Sequence, residues 1–452
     1  MRRFVTTTAV FLLLCNTLIY YNTNVEEAKI MDSHNTEEKS NDTQSASIEA
    51  IVYETEEEQI NRKYCGSPVC KFFFPFTVGE QESRARLQVP GIISMAQQTN
   101  RVLVLPNVGD ARLGACKPFT FDYYYSIESM RQSSPNTIFI TQDQFLRWNQ
   151  EMKAIKANKF TAKIIRLSDK AQKEHVGLDI KLNIEQYRHK QCLMPFDHLE
   201  YENTALDIHI RKTGKHQAAI TQFVFNTLRS VQSDVMLMHY RVYRFNCKHP
   251  PAPLTYAERL KKHAKVAATL LYPYVAVHWR METAAPSKLL KCSQNLVAYI
   301  NHIKKKTGIV NVYVATDYPI DGGRQHSGTF RKITRDHHRA ANVLKSNIDF
   351  STLERINSSL PLLNNTEFLS LSNNAIRHSE SGIPGILDKL ILMYSNWFVS
   401  GPEKCCRISS SYTAQVLKER AAIIDNQKEF EEETVNSVLL NVGDRWERPK
   451  WP

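Results

Sequence analysis

YVAVHWR (274–280), NVYVATD (311–317) and NWFVSG (396–401) decide how this chain is read. Each is a short run of valine, alanine and aromatic residues that turns polar at its end. A strand buried on both faces gives such a continuous apolar run, the pattern of a parallel sheet. Between the runs, KCSQNLVAYINHIKKK (291–306) and PGILDKLILMYSN (384–396) carry apolar residues at helical spacing. Alternating strands and helices predict doubly wound α/β sheets. Upstream, NRVLVLPNV (100–108) and TIFIT (137–141) read as strands, with a helix around Gly91–Thr99. Two α/β units follow, residues 63–250 and 251–452, divided near 247–272, where HPPAP (249–253) interrupts the pattern.

Ligands of open α/β sheets bind at the carboxyl ends of strands. His278 and Arg280 stand at one such end, followed by Glu282 and Thr283; Thr316 and Asp317 stand at the next. An arginine there can hold phosphate bidentately, and Asp317 can accept hydroxyl or base-edge hydrogen bonds. Alternatively, Asp317 caps a helix before Tyr318 and Pro319, Arg280 pairs with a structural carboxylate, and His278 is a hydrogen-bonded core residue. After NWFVSG, the stretch SSSYTAQVLKER (409–420) places Ser409, Ser410 and Ser411 where a helix should begin. Hydroxyls and free N–H groups at a helix start either cradle phosphate or only cap the helix. Convergence of such groups on three strand ends predicts a nucleotide site.

The 452 residues carry a formal charge of +12, distributed unevenly. Residues 22–60 hold eleven acids against two bases, a net −9, which leaves +19 for residues 61–452 once Arg2 and Arg3 are set aside. Arg2 and Arg3 precede an uncharged stretch, residues 4–21, that is long enough to cross a thin secretory membrane. A basic flank of three residues in the cytosol and an acidic flank outside predict a single-pass type II membrane protein; a cleaved signal peptide is the competing reading. Residues 22–62, acidic and poor in aromatics, read as a flexible stem. In a lumenal domain, Asn41, Asn357 and Asn364 begin glycan-acceptor triplets expected on surface loops. Cys65, Cys70, Cys116, Cys192, Cys247, Cys292, Cys405 and Cys406 form an even set, so disulfides are expected, with about 105 complete pairings open.

Several chemistries are disfavoured. No second CxxC-like pair supports zinc, and no Asp-x-Asp holds a diphosphate through a divalent metal. Asp336, His337 and His338 are adjacent and would diverge around a helix, so no metal is expected there. The basic runs KKHAK (261–265) and KKK (304–306) read as solvated faces, so no nucleic-acid partner is expected.

Six blocks, in order over residues 75–420, resemble the GDP-fucose protein O-fucosyltransferase family, particularly its divergent fungal branch. They are PFTVGEQESRARLQ (75–88), NRVLVLPNVG (100–109), PFTFDYYYS (118–126), HWRMET (278–283), VYVATD (312–317) and ILDKLILMYSNWFVSG with SSSYTAQVLKER (386–420). The resemblance implies a GT-B arrangement of two facing Rossmann-like domains, the first on the acceptor side and the second binding the GDP-sugar. It also implies GDP-fucose as donor, inversion at the anomeric carbon and no metal for donor binding. By the same carry-over, Arg280 binds the diphosphate and stabilises the leaving group, His278 supports it, and Asp317 contacts the guanosine. Ser410, Ser411, Tyr412 and Thr413 match Ser-Ser-Phe-Thr, with tyrosine for phenylalanine, and cradle phosphate and base. Some relatives use a glutamate of the N-terminal loop as base, which points to Glu80, with Glu82 and Glu282 as alternatives. The expected activity is transfer of fucose to a protein or glycan hydroxyl in the Golgi or endoplasmic reticulum. Other readings are a different nucleotide sugar, or an anchored protein that binds glycan or peptide without turnover.

Overall fold

The computed structural model describes residues 54–169, 176–210, 217–242, 254–282, 284–322, 330, 332–359, 382–400, 406 and 410–427. The anchor, the stem up to residue 53, Asn41, Asn364, Cys247, Cys405, Thr283 and Ser409 lie outside these residues. No helix among the described residues is long and apolar enough to cross a membrane.

The chain begins with α1 (Glu56–Cys65), β1 (Phe72–Val78), α2 (Glu82–Gln98), β2 (Val102–Leu105), β3 (Val108–Gly109), β4 (Arg112–Gly114), α3 (Ile127–Ser133) and β5 (Phe139–Thr141). It continues through α4 (Gln142–Ala154), β6 (Phe160–Ser168), β7 (Val176–Lys181), α5 (Ile184–Lys190), β8 (Leu199–His209), α6 (Gln217–Arg229) and β9 (Val235–Arg241). Then come α7 (Glu258–Leu271), β10 (Tyr274–Trp279), α8 (Pro286–Thr307), β11 (Asn311–Thr316) and α9 (Arg335–Asn347). The last elements are α10 (Leu353–Ser359), α11 (Ile383–Tyr394), β12 (Trp397–Val399) and α12 (Ser411–Gln427).

Three acids that composition assigns to the stem, Glu56, Glu57 and Glu58, form the first turn of α1. Thr55 Oγ1 accepts the Glu58 N–H at 3.2 Å, and Glu58 Oε2 accepts the Thr55 N–H at 2.8 Å. This capping box puts negative charge at the positive end of the helix dipole. Residues 56–62, which composition assigns to the stem, are therefore helical.

Among the described residues, nine strands make the main sheet, and it is mixed rather than wholly parallel. β1 pairs in parallel with β2 and β9, and β6 with β8 and β9, whereas β3–β4, β1–β4 and β7–β8 are antiparallel. Pro75 sits inside β1, where the pairing with β9 shifts register between Phe74 and Thr77. A bulge there accommodates the missing N–H. The second sheet is parallel throughout, in the order β11-β10-β12, as its apolar runs predict. Trp279 pairs with Thr316 and Val277 with Val399, so the carboxyl ends of all three strands open on one edge.

The largest core joins the two sheets. It packs Phe73, Leu105 and Met236 with Tyr274, Ala276 and Phe398, and takes in α2, α7 and α11. A second core lies between the small sheet and α8 and α9, and a third behind the main sheet around Phe72, Phe74, Phe145 and Trp148. At the start of α11, Gly382 has φ 75°, and a Cβ there would stand 2.2 Å from Ala111 N and 2.3 Å from Tyr124 Oη. Gly382→Ala should therefore lower stability by about 3 kcal/mol, from left-handed strain plus overpacking, as read by urea denaturation.

Among the described residues, three disulfides form: Cys65–Cys70, Cys116–Cys192 and Cys292–Cys406. The last ties the segment ahead of α12 to α8. Asn357 was expected on a surface loop; it lies instead in α10, half-buried in a small cleft with His263 and Leu387.

Candidate functional site

β10 and α12 meet at His278. Its Nδ1 lies 2.9 Å from Thr413 Oγ1, and its ring stacks on Tyr412 with centroids 4.6 Å apart. Thr413 Oγ1 lies 2.8 Å from Ser410 Oγ, which accepts the Thr413 N–H at 3.0 Å. Ser410 therefore caps α12, and its hydroxyl continues through Thr413 to the imidazole. Burial, then the charges of Arg280 and Lys389, pull the His278 pKa down to about 3. The ring is neutral at physiological pH and adds no charge of its own.

Arg280 follows two residues later and is ion-paired with Glu282, whose side chain is only 2% exposed. Asp317 does not cap a helix. Its two carboxylate oxygens accept the N–H groups of Met281 (2.8 Å) and Glu282 (3.0 Å), folding the turn that presents Arg280. Burial nevertheless pushes the Asp317 pKa up to about 6, because those two bonds only partly offset lost hydration.

Tyr412 is anchored beyond its stacking. Its O–H donates to Gly385 O at 2.9 Å, and Lys389 Nζ sits 5.0 Å from its ring centroid. Lys389, from α11, is fully buried. It contacts Glu82 Oε2 at 2.5 Å, Ser83 Oγ at 2.8 Å, Gln415 Oε1 at 2.9 Å and Tyr256 Oη at 3.0 Å. Glu82 Oε1 accepts the O–H groups of Tyr125 and Tyr256, both at 2.9 Å. Desolvation would raise the Glu82 pKa, but Lys389 and Arg86 overcome it, and the carboxyl is held below its usual range. This network ties α2, beside the main sheet, to α11 and α12.

The base candidates separate by environment. Glu82 is saturated by Lys389 and two tyrosines, and Glu282 is buried against Arg280, so neither is free to take a proton from a substrate. Glu80 is exposed, adopts φ 79°, and pairs with Arg84 at 3.2 Å. It lines a cleft of about 610 Å³ with Gly79, Arg112, Lys117 and Arg241. Among the described residues, no group of His, Cys, Asp and Glu could hold a metal.

The sequence reading passed over Lys389 and Gln415. A signal existed: Asp388 and Lys389 are the only charges in an apolar helical run, and a charge in such a stretch must be paired when buried. Asp388 accepts the Tyr313 O–H, and burial, then Glu354, push its pKa up to about 8. A carboxyl whose folded pKa exceeds its unfolded value near 4 gives stability that is full below pH 4 and fades as pH rises to 8. The stability difference between the native chain and Asp388→Asn should shrink by up to about 1.4 kcal/mol per pH unit across that window. Urea titrations at pH 5 and 8 check this.

No protein-family model and no curated protein matches the chain. Among solved structures, POFUT1 in complex with GDP is 14% identical, matched over 82% of this chain and 98% of its own, with a TM-score of 0.43. POFUT1 in complex with GDP-fucose is 14% identical over the same shares, with a TM-score of 0.42. The fucosyltransferase NodZ from Bradyrhizobium is 11% identical over 77% of this chain and 91% of its own, with a TM-score of 0.34. At TM-scores this low, the likeness assigns neither activity nor residue roles.

Proposed function

We propose that the chain is an inverting glycosyltransferase that moves fucose from GDP-fucose to a hydroxyl of a protein or glycan acceptor in the secretory pathway. The observation that carries this reading is the meeting of His278 and Thr413, 135 residues apart in sequence and hydrogen-bonded at 2.9 Å, with Arg280 two residues further along. With the Asp317 carboxylate accepting the Met281 and Glu282 N–H groups, three segments that resemble donor-binding motifs adjoin at the carboxyl edge of a parallel sheet, where nucleotides bind.

In this reading, the start of α12, with Ser411 half-exposed and its first N–H groups unbonded within the helix, receives phosphate. Arg280 stabilises the charge that develops as the diphosphate leaves. Neutral His278 holds Thr413 and Tyr412 in place, and Asp317 acts through the turn it folds while lying toward the nucleoside. Inversion requires the acceptor oxygen in line with the leaving group, and Glu80 takes its proton. Residues 63–250 form the acceptor side and 251–452 the donor side, with no metal requirement. The chain is held by residues 4–21 in the Golgi or endoplasmic reticulum as a type II protein, with glycans at Asn41 and Asn364.

Incubating the full-length chain with GDP-fucose and a panel of protein and glycan acceptors tests this. Acceptor-dependent GDP release is expected, and Glu80→Gln should lower kcat about 100-fold or more while leaving GDP affinity unchanged. GDP binding without release or transfer across the panel would favour a binding protein that has lost turnover.

A further inference from the structure

Adjacent histidines on a helix point about 100° apart, and His337 and His338 of α9 use that divergence to reach two different loops. His337 is the third residue of α9. Its Nδ1 accepts the Thr334 N–H at 3.1 Å and lies 2.8 Å from Thr334 Oγ1, completing a capping box. The ring is 3% exposed and sits 5.2 Å from the Phe330 ring, centroid to centroid. Burial lowers its pKa, so it is neutral at physiological pH, with one nitrogen to accept and one N–H to donate. That N–H donates to the backbone of Met281. His338 is exposed and turns the other way, with its Nδ1 2.7 Å from Tyr318 Oη and its ring edge-on to the tyrosine.

Both contacts fall beside donor-site residues. Met281 follows Arg280, and Tyr318 follows Asp317. The Asp317 carboxylate accepts the Met281 and Glu282 N–H groups. The Met281 backbone is therefore held on both sides, its N–H by the end of β11 and its carbonyl by α9. The Tyr318 N–H donates to Thr316 Oγ1 at 3.2 Å, which turns the second loop back on its strand. These links close a circuit from α9 through His337, Met281, Asp317, Tyr318 and His338 to α9 again. A capping role alone accounts for the contact with Thr334. It requires neither the reach to Met281 nor an imidazole, since glutamine or glutamate serves as well in a capping box.

We propose that His337 and His338 are positioning residues, a fork from α9 that fixes the two turns from which Arg280 and Asp317 face the donor. Neither histidine touches the donor itself. The inference rests on the reading of Arg280 as the diphosphate ligand. Misplacing an active-site group by about 1 Å can cost about 100-fold in rate, so the backbone that presents Arg280 needs such fixing.

Two measurements on the full-length chain test this. Hydrogen exchange without nucleotide reads the fastening. His337→Leu should speed exchange around Met281 and Glu282 about tenfold, whereas His337→Gln, able to accept from Thr334 and donate to Met281, should keep it near the native rate. Calorimetric titration with GDP reads the consequence. His337→Leu should weaken binding about tenfold, and His337→Gln should keep it within about threefold of native. In an Arg280→Ala background, His337→Leu should cost nothing further, because it acts through Arg280. His338→Phe removes the Tyr318 bond at an exposed position and should weaken GDP binding about threefold even if His337→Leu does not fold. Native exchange in His337→Leu, undiminished GDP binding by His338→Phe, or an equal loss of affinity with and without Arg280 would each overturn the proposal. Failure of the donor reading shows separately, as a native chain that binds no GDP, in which case the exchange rates alone decide whether the fork holds the turn.

Discussion

Replacing Lys389 by methionine should cost about 3–5 kcal/mol of folding stability, because it leaves the Glu82 carboxylate buried without its cation. Glu82 is 4% exposed and Lys389 fully buried, so water cannot substitute for the lost partner. The two tyrosines that donate to Glu82 are themselves buried and cannot neutralise it. A double replacement, Glu82→Gln with Lys389→Met, should recover much of the loss, since the pair's net contribution is smaller than the penalty for breaking it. Urea denaturation of both single variants and the double variant measures the coupling. A single-variant cost under 1 kcal/mol would show that the network does not hold α2 to α11. The effect should extend to the site, because Lys389 lies over the Tyr412 ring on which His278 stacks.

Arg280→Ala should lower kcat by about 100- to 1000-fold, the usual consequence of removing a preorganised group that stabilises developing charge. Its side chain is 22% exposed and so can reach a ligand while Glu282 holds it in place. Arg280→Lys should restore little, since an ammonium cannot keep Glu282 and a phosphate oxygen in the same fork geometry. Arg280→Ala also strands the buried Glu282, so a structural cost is expected alongside the catalytic one. Adding Glu282→Gln separates them: stability should return and activity should not. A kcat within threefold of the native value at saturating GDP-fucose would remove Arg280 from the mechanism.

The second sheet was legible because each strand is a short apolar run flanked by helical periodicity, and a small parallel sheet leaves few other arrangements for such runs. The main sheet was less so. β1 contains Pro75, which argues against a strand until the register shift is seen, and β9 (VMLMHYR) has no period that separates it from a helical turn. Antiparallel β4 and β7 leave no trace in an alternation of strands and helices. At the site, residue types at the strand ends were readable, but their partners were not. Nothing near Asp317 in sequence announces that its carboxylate folds the turn before Arg280, because the bonded amides lie 35 and 36 positions away. The acids of α1 were misread for a similar reason: charge composition is the same in a disordered stem and in a capped helix turn.

A donor site at the β10–α12 edge must take a guanosine diphosphate. Calorimetry of the full-length chain with GDP, UDP and CMP, repeated with Arg280→Ala, measures this most directly. Saturable GDP binding at least tenfold tighter than UDP or CMP, and weakened at least tenfold by the substitution, is the predicted result. Equal affinity for all three nucleotides, or GDP binding that survives the loss of Arg280 unchanged, would contradict it.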